Sequence, residues 1–234
     1  MDTATRLRTL AAAAADLVQD GMTVGLGTGS TAKAVVRELG VRIEAGLRMR
    51  GVATSEPTAA LARELRIPLL DLDDVQRLDL GIDGADEIDP SLHVIKGGGG
   101  ALLYEKLVAL ACDDYLIVAA AEKCTTALGT RFHLPVEVVP FGWTHTAGRL
   151  RALGLEPVLR PDHNGDPFLT ENGEYILDCG TRPVEDPLAL AAAIKAIPGV
   201  VEHGIFAGIV RTALVVEPDC TITRLEADWP AAGS

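Results

Sequence analysis

Met22-Thr23-Val24-Gly25-Leu26-Gly27-Thr28-Gly29-Ser30-Thr31-Ala32 is the stretch that decides the fold. Met22 to Leu26 is a short apolar run of the length of a buried strand. Glycines punctuate the turn that follows, and a helical pattern continues through about Leu39. Strand, Gly-rich turn and helix in that order offer free backbone N–H groups and the positive end of a helix dipole to an anion. The dinucleotide fingerprint does not fit, because the sixth position counted from Gly25 is Ser30. Nor does the turn end in the Gly-Lys-Ser/Thr of a nucleotide P-loop. What remains is a turn with the Thr28, Ser30 and Thr31 hydroxyls and the Gly29 amide, suited to a small phosphate monoester. The plainer reading makes Ser30 or Thr31 a helix N-cap. Three glycines and three hydroxyls exceed what a cap needs.

The same alternation extends outward. Thr3 to Val18 reads as an Ala-rich helix, and Ser55-Glu56-Pro57-Thr58 opens a helix to Arg66. Gly51–Thr54, Pro68–Leu70, Leu78–Ile82, Val94-Ile95 and Tyr115–Ala120 read as strands, and Gly99–Ala111 as a helix. Strands alternating with helices at this spacing predict an α/β fold, a mostly parallel, Rossmann-like sheet flanked by helices. Ligands gather at the strand C-terminal ends of such sheets. Three turns follow strands: the hydroxyl-rich one, the acidic Asp83-Gly84-Ala85-Asp86-Glu87-Ile88-Asp89, and the glycine run Lys96-Gly97-Gly98-Gly99-Gly100.

Leu134 to Pro140 then leads into a second pattern. Thr144–Leu153 and Pro187–Ala196 read as helices, and Leu155–Arg160, Tyr175–Cys179 and Val200-Val201 as strands. That β-α-β-β-α-β order is the split βαβ of a smaller, ferredoxin-like α+β domain. Strands near 213–216 and 221–224 return to the first sheet, and the tail is expected to fray from Asp228. The expected division is therefore 1–132 plus 204–234 for the α/β catalytic domain and 133–203 for the small domain, the candidate oligomer interface.

The chain has 234 residues, 48% of them hydrophobic and only 4% aromatic, enough for a substantial core built of Ala, Val, Leu and Gly. A formal net charge of −12 repels nucleic acid and anionic membranes, so neither is expected as a partner. An anionic substrate then needs a local basic or amide-lined site. Cys112, Cys124, Cys179 and Cys220 form no CxxC pair and no Cys/His cluster, which fits a reduced compartment. No signal-peptide layout and no stretch of transmembrane length occurs, so a soluble cytoplasmic protein is expected.

The acidic turn admits several readings. A solvated turn suits Glu87 and Asp89. An EF-hand fails, because Gly84 and Ala85 stand where Asp or Asn is needed. A Mg²⁺ pair and acid–base work by Asp83 and Asp86 both remain open, the latter with Lys96 as a cation that can donate to an oxyanion. Glu105, in the first turns of the helix after the glycine run, is the candidate base; partial burial lifts such a carboxyl toward neutrality. On the plainer reading Glu105 and Lys106 are wet-face residues of an amphipathic helix. The histidines have no metal spacing, and the cysteines lack a His–Asp partner set. A phosphate cradle, two Asp, a Lys and a Glu suit proton transfer in a small phosphorylated sugar.

These motifs in order resemble ribose-5-phosphate isomerase of type A. The likeness rests on Gly25 to Thr31, Asp83 to Glu87, Lys96 to Gly99 with Glu105-Lys106, Leu134-Pro135-Val136-Glu137-Val138, Leu177-Asp178 and Ala196 to Val201, and runs from about residue 5 to 225. The resemblance implies interconversion of D-ribose 5-phosphate and D-ribulose 5-phosphate through an enediolate, in the non-oxidative pentose phosphate pathway, with no cofactor and no metal. It implies substrate contacts from Thr28, Gly29, Ser30, Thr31, Asp83, Gly84, Ala85, Asp86, Lys96, Gly97, Gly98, Gly99 and Lys123. It implies ring opening by Asp83 and Asp86, oxyanion stabilisation by Lys96 and proton shuttling by Glu105. The family is homo-oligomeric, so a homodimer or homotetramer is expected. Three departures stand out: Arg6 and Arg8 lie where a first-helix lysine is common, Glu122 precedes Lys123 where a Ser is common, and Thr130-Arg131-Phe132-His133 is one residue longer than usual before Leu134. Rival readings are a phosphosugar sensor, which normally carries an added DNA-binding module that this chain has no room for, and a sugar-phosphate deaminase or CoA transferase.

Overall fold

In the computed structural model, which describes residues 2–228, strands and helices alternate as expected. In chain order they are α1 (Thr3–Ala15), β1 (Thr23–Leu26), α2 (Ser30–Glu44), β2 (Arg50–Ala53), α3 (Glu56–Glu64), β3 (Leu78–Asp83), β4 (Glu87–Ile88), β5 (Val94–Ile95), α4 (Leu102–Ala111) and β6 (Cys112–Ala120). There follow β7 (Leu134–Val138), α5 (Trp143–Ala152), β8 (Glu156–Leu159), β9 (Tyr175–Gly180), α6 (Pro187–Lys195), β10 (Val200–His203), β11 (Ile205–Phe206), β12 (Thr212–Val216) and β13 (Ile222–Glu226). The tail expected to fray from Asp228 lies, past that residue, outside the described chain. The chain divides into two compact units. One takes the chain up to Ala85, Tyr104–Lys123 and the segment from Gly208; the other takes Asp86–Leu103 and Cys124–Ala207.

The first unit is built on a six-stranded sheet, ordered β13-β12-β6-β3-β1-β2. Its pairings are parallel except for the β12–β13 hairpin. Alternation along the strands sorts the core. Val24, Leu26, Leu80, Ile82, Leu116, Val118, Leu214 and Val216 pack with Leu10 and Ala14 of α1 and Val35, Val36 and Leu39 of α2. Val52 and Leu78 pack with Val108 of α4 in a separate cluster. Glycine is forced where helix and sheet close up: a Cβ on Gly25 would lie 2.6 Å from Val108 Cγ1. Helix α2 outruns the expected end near Leu39 and runs through Gly40 to Glu44; a Cβ on Gly40 would lie 3.0 Å from Leu65 Cβ, a tight approach that glycine relieves. Ser55 caps α3, its Oγ accepting from the Thr58 N–H. The strand expected at 68–70 reduces to one parallel bridge between Gly51 and Leu69.

The second unit holds an antiparallel sheet ordered β10-β7-β9-β8. With α5 between β7 and β8, and α6 between β9 and β10, this is the split βαβ arrangement. Val136, Val138, Leu177 and Cys179 pack on Ala147 and Leu150 of α5 and Ile194 of α6. A second, three-stranded ribbon runs β11-β5-β4. It ties residues 86–103 to this unit, whereas the sequence division assigns them to the α/β domain. Glu87 likewise ties in 129–132, its carboxylate accepting from the N–H groups of Gly129, Arg131 and Phe132. Among the described residues no helix is long and apolar enough to cross a membrane.

Candidate active site

The hydroxyl-rich turn and Asp83 are built together in the first unit. Gly29 takes φ +102° just before α2, and no side chain caps that helix, so neither Ser30 nor Thr31 acts as the N-cap. Ser30 is exposed and Thr31 half-buried, both on the first turn, where helix amides have no intrahelical acceptor. Thr28 Oγ1 lies 2.8 Å from both Thr54 Oγ1 and Ser55 Oγ. Thr58 donates to the Gly27 carbonyl at 3.0 Å. The 54–58 hydroxyls thus brace the turn from behind.

Asp83 ends β3 with 0% of its surface exposed. Its Oδ1 accepts from the Thr28 N–H (3.1 Å) and the Gly84 N–H (2.7 Å), and its Oδ2 from the Tyr115 hydroxyl (3.0 Å). The Gly27 backbone passes so close that a Cβ there would lie 2.2 Å from Asp83 Cγ. Tyr115 went unread in the sequence, since a tyrosine in an apolar strand reads as core. Its ring does pack as core, over Gly81. Burial, then the charges of Asp83 and Glu105, push its hydroxyl well above the ordinary value, so it remains a donor.

Glu105 sits in the first turn of α4, 4% exposed, and Lys106 is buried as well. The wet-face reading of this pair is therefore set aside. Helix α4 starts at Leu102 rather than Gly99, because Gly97 (φ +103°) and Gly100 (φ +83°) both take left-handed backbone. Lys123 is half-buried at the end of a 3₁₀ turn, 121–123. Beside it, Glu122 pairs with Arg6 through contacts of 2.7 and 2.8 Å, and Arg6 also donates to the Val216 carbonyl at 3.0 Å. The Arg6 guanidinium draws the Glu122 carboxyl down to about 2. Arg6 is thereby committed within the fold, and Arg8 donates to Thr5.

The second unit holds Asp86, Lys96 and the glycine run. Asp86 Oδ2 accepts from the Gly98 N–H at 2.9 Å. Lys96 is only 3% exposed; its N–H donates to the Gly204 carbonyl, and its Nζ lies 5.7 Å from the Phe206 ring centroid. Gly98 and Gly99 are exposed, while Gly97 and Gly100 are buried. A Cβ on Gly100 would lie 2.6 Å from the Phe168 ring. So the run is a tightly fitted turn with an open centre. Arg160, also unread in the sequence, contacts its carbonyls, donating to Gly97 O at 3.0 Å and Gly98 O at 3.2 Å. Glu87, expected in solvated surroundings, is buried as the acceptor for residues 129–132. Asp89 accepts from the Ser91 and His93 N–H groups and closes its own turn.

The site residues thus fall into two clusters. Thr28 to Thr31, Asp83, Gly84, Ala85, Glu105 and Lys123 belong to the first unit; Asp86, Lys96 and Gly97 to Gly99 belong to the second. Among the described residues, no three His, Cys, Asp or Glu side chains are grouped to hold a metal ion. Burial pushes the Cys112 and Cys179 thiols up to about 12, which disfavours both as nucleophiles.

The family model described as Ribose 5-phosphate isomerase A (phosphoriboisomerase A) matches residues 50–220. Ribose-5-phosphate isomerase A of Roseiflexus sp. (strain RS-1) is 54% identical over 204 residues, covering 86% of this chain and 88% of that protein. A solved structure of ribose 5-phosphate isomerase A from Methanocaldococcus jannaschii superposes with a TM-score of 0.91 at 37% identity, covering 96% of this chain and all of that one. A D-ribose-5-phosphate isomerase in complex with phospho-erythronic acid superposes with a TM-score of 0.94 at 34% identity, covering 97% of this chain and all of that one.

Proposed function

The chain belongs to the ribose 5-phosphate isomerase A family, and on that premise we propose that it interconverts D-ribose 5-phosphate and D-ribulose 5-phosphate through an enediolate with Glu105 as base. One observation carries the assignment of roles. Asp83, Lys96 and Glu105, each less than 5% exposed, are buried ionisable groups carried on the motifs that match the family, whereas the equally buried Glu87 is taken up by the 129–132 amides. The amides and hydroxyls of Thr28 to Thr31 take the phosphate at the start of α2. Asp83 and Asp86 bind the sugar hydroxyls and open the ring, with Gly84 and Ala85 between them. The Glu105 carboxylate removes the C2 proton of the open aldose, and the electron pair moves onto O1. Lys96 stabilises that oxyanion, with the Gly97–Gly99 backbone close to the substrate. Glu105 returns the proton to C1 while the O2 proton passes to O1, leaving the C2 ketone. Lys123 contributes a further substrate contact.

A carboxylate base of this kind contributes about 10²–10⁴-fold. Donors aimed at the oxyanion contribute about 10²–10³-fold. Phospho-erythronic acid, bound by a family member, supports this reading, since its planar carboxylate places charge as an enediolate does. The proposal extends to a metal-independent, cytoplasmic homodimer or homotetramer serving the non-oxidative pentose phosphate pathway. The test is direct isomerisation of ribose 5-phosphate by the purified chain, with and without EDTA. Equal turnover in both is expected. Loss in EDTA that Mg²⁺ restores would move Asp83 and Asp86 to a metal role, and no turnover in either would overturn the proposal.

A further inference from the structure

We propose that Arg160 is a positioning residue for the reaction, setting the orientation of the Gly97–Gly98 peptide and through it the placement of Asp86. That peptide is held at both ends. Its carbonyl, on Gly97, accepts from Arg160 Nη1 at 3.0 Å, and its N–H, on Gly98, donates to Asp86 Oδ2 at 2.9 Å. The two groups point in opposite directions across a planar trans unit, so fixing the carbonyl aims the N–H. The same Nη1 reaches the Gly98 carbonyl at 3.2 Å, which also constrains the next peptide.

Glycine gives this restraint a flexible backbone to act on. Gly97 is at φ +103°, and a backbone without Cβ atoms has many orientations open to it. The Gly100 N–H also donates to the Gly97 carbonyl, at 3.0 Å, so the turn and Arg160 share that acceptor, and Arg160 supplies the hold that comes from outside the glycine run. Arg160 itself is immobilised. Its Nε and Nη2 donate to the two oxygens of Asp178 at 2.9 and 2.5 Å, and its guanidinium carbon lies 5.7 Å from the Phe168 ring centroid. The side chain is 12% exposed. Phe168 in turn fills the space that a Cβ on Gly100 would need. A planar fork serves carboxylate and carbonyls at once, which an ammonium cannot do.

The inference rests on the catalytic roles of Asp86 and Lys96 given above. Its test compares Arg160→Ala and Arg160→Lys with Asp86→Asn, each verified as folded by circular dichroism. Arg160→Ala should lose about 10–100-fold in kcat with KM changed less than about 3-fold, the signature of an interaction realised in the transition state. Guanidinium chloride at low millimolar concentration should restore at least about 5-fold of that loss, and KCl should not. Arg160→Lys should fall between wild type and Arg160→Ala. Independently of turnover, hydrogen exchange at the Gly98 amide should quicken about 10-fold or more in Arg160→Ala. Unchanged Gly98 exchange, or wild-type kcat in Arg160→Ala beside an impaired Asp86→Asn, would overturn the inference and leave the proposed function standing. Full turnover in Asp86→Asn would instead overturn the Asp86 role, while the Gly98 exchange rate still decides whether Arg160 orients the peptide.

Discussion

Gly27→Ala should displace Asp83 without altering any ionisable group. The added Cβ would lie 2.2 Å from both Cγ and Oδ1 of Asp83, where ordinary contact begins at 3.4 Å. One side must therefore yield by roughly 1.2 Å. Neither yields cheaply. Asp83 is wholly buried between the Thr28 and Gly84 amides and the Tyr115 hydroxyl, and Gly27 is bonded through its N–H to Ile82 O and through its carbonyl to Thr58. Overpacking of this kind costs about 1–3 kcal/mol. A lost hydrogen bond to a charged group costs about 1.5–3 kcal/mol more. At about 2–4 °C per kcal/mol for a chain of this length, Tm should fall by roughly 5–24 °C. A shift near 1 Å in a reacting group costs about 10²-fold in rate. The assay is kcat for ribose 5-phosphate well below the lowered Tm, with Gly51→Ala as control. There the new Cβ meets Leu26 Cδ1 at 2.6 Å, Leu26 Cγ at 3.2 Å and Leu69 Cδ2 at 3.3 Å, apolar core atoms rather than a group of the proposed site, so stability should drop while kcat changes far less than in Gly27→Ala. Wild-type kcat in folded Gly27→Ala would refute the reasoning, and so would equal kcat losses in the two variants.

Burial pushes the Glu137 carboxyl up, against the lowering effect of Thr170 and Asn172. The folded chain therefore holds this proton to higher pH than the unfolded chain, whose value is near 4.5, and stability is lost as pH rises from there through the raised folded value. Glu137→Gln should accordingly raise Tm at pH 7, with a smaller gain near pH 4; melts at the two pH values check the sign. Glu87→Gln should do the opposite. It puts an amide NH₂ among the N–H groups of Gly129, Arg131 and Phe132, and should cost about 2–4 kcal/mol in a urea titration with little change in KM.

Much of this molecule is local, and local features are legible. The strand–turn–helix at 22–44, the strand ending in Asp83 and the helix carrying Glu105 follow from apolar runs broken by glycine. Resemblance then assigned roles to residues that spacing alone left open. What stayed hidden is long-range. Glu87 looks like the middle of an acidic turn until the chain returns 42 residues later with three amides. Arg160 lies 63 positions from Gly97, just past an edge strand whose pattern says nothing about a fork aimed at carbonyls. Tyr115 satisfies the strand pattern with its ring, and only the fold brings its hydroxyl to Asp83. The start of α4 was misplaced for a related reason, since a glycine run signals freedom but not which residues turn left-handed.

The central claim is that Glu105 moves the proton. It is tested most directly by turnover of ribose 5-phosphate by Glu105→Gln, a change of nearly equal shape at a buried position. The account predicts a loss of about 10²–10⁴-fold in kcat with substrate binding retained; near-normal turnover in the folded variant would contradict it.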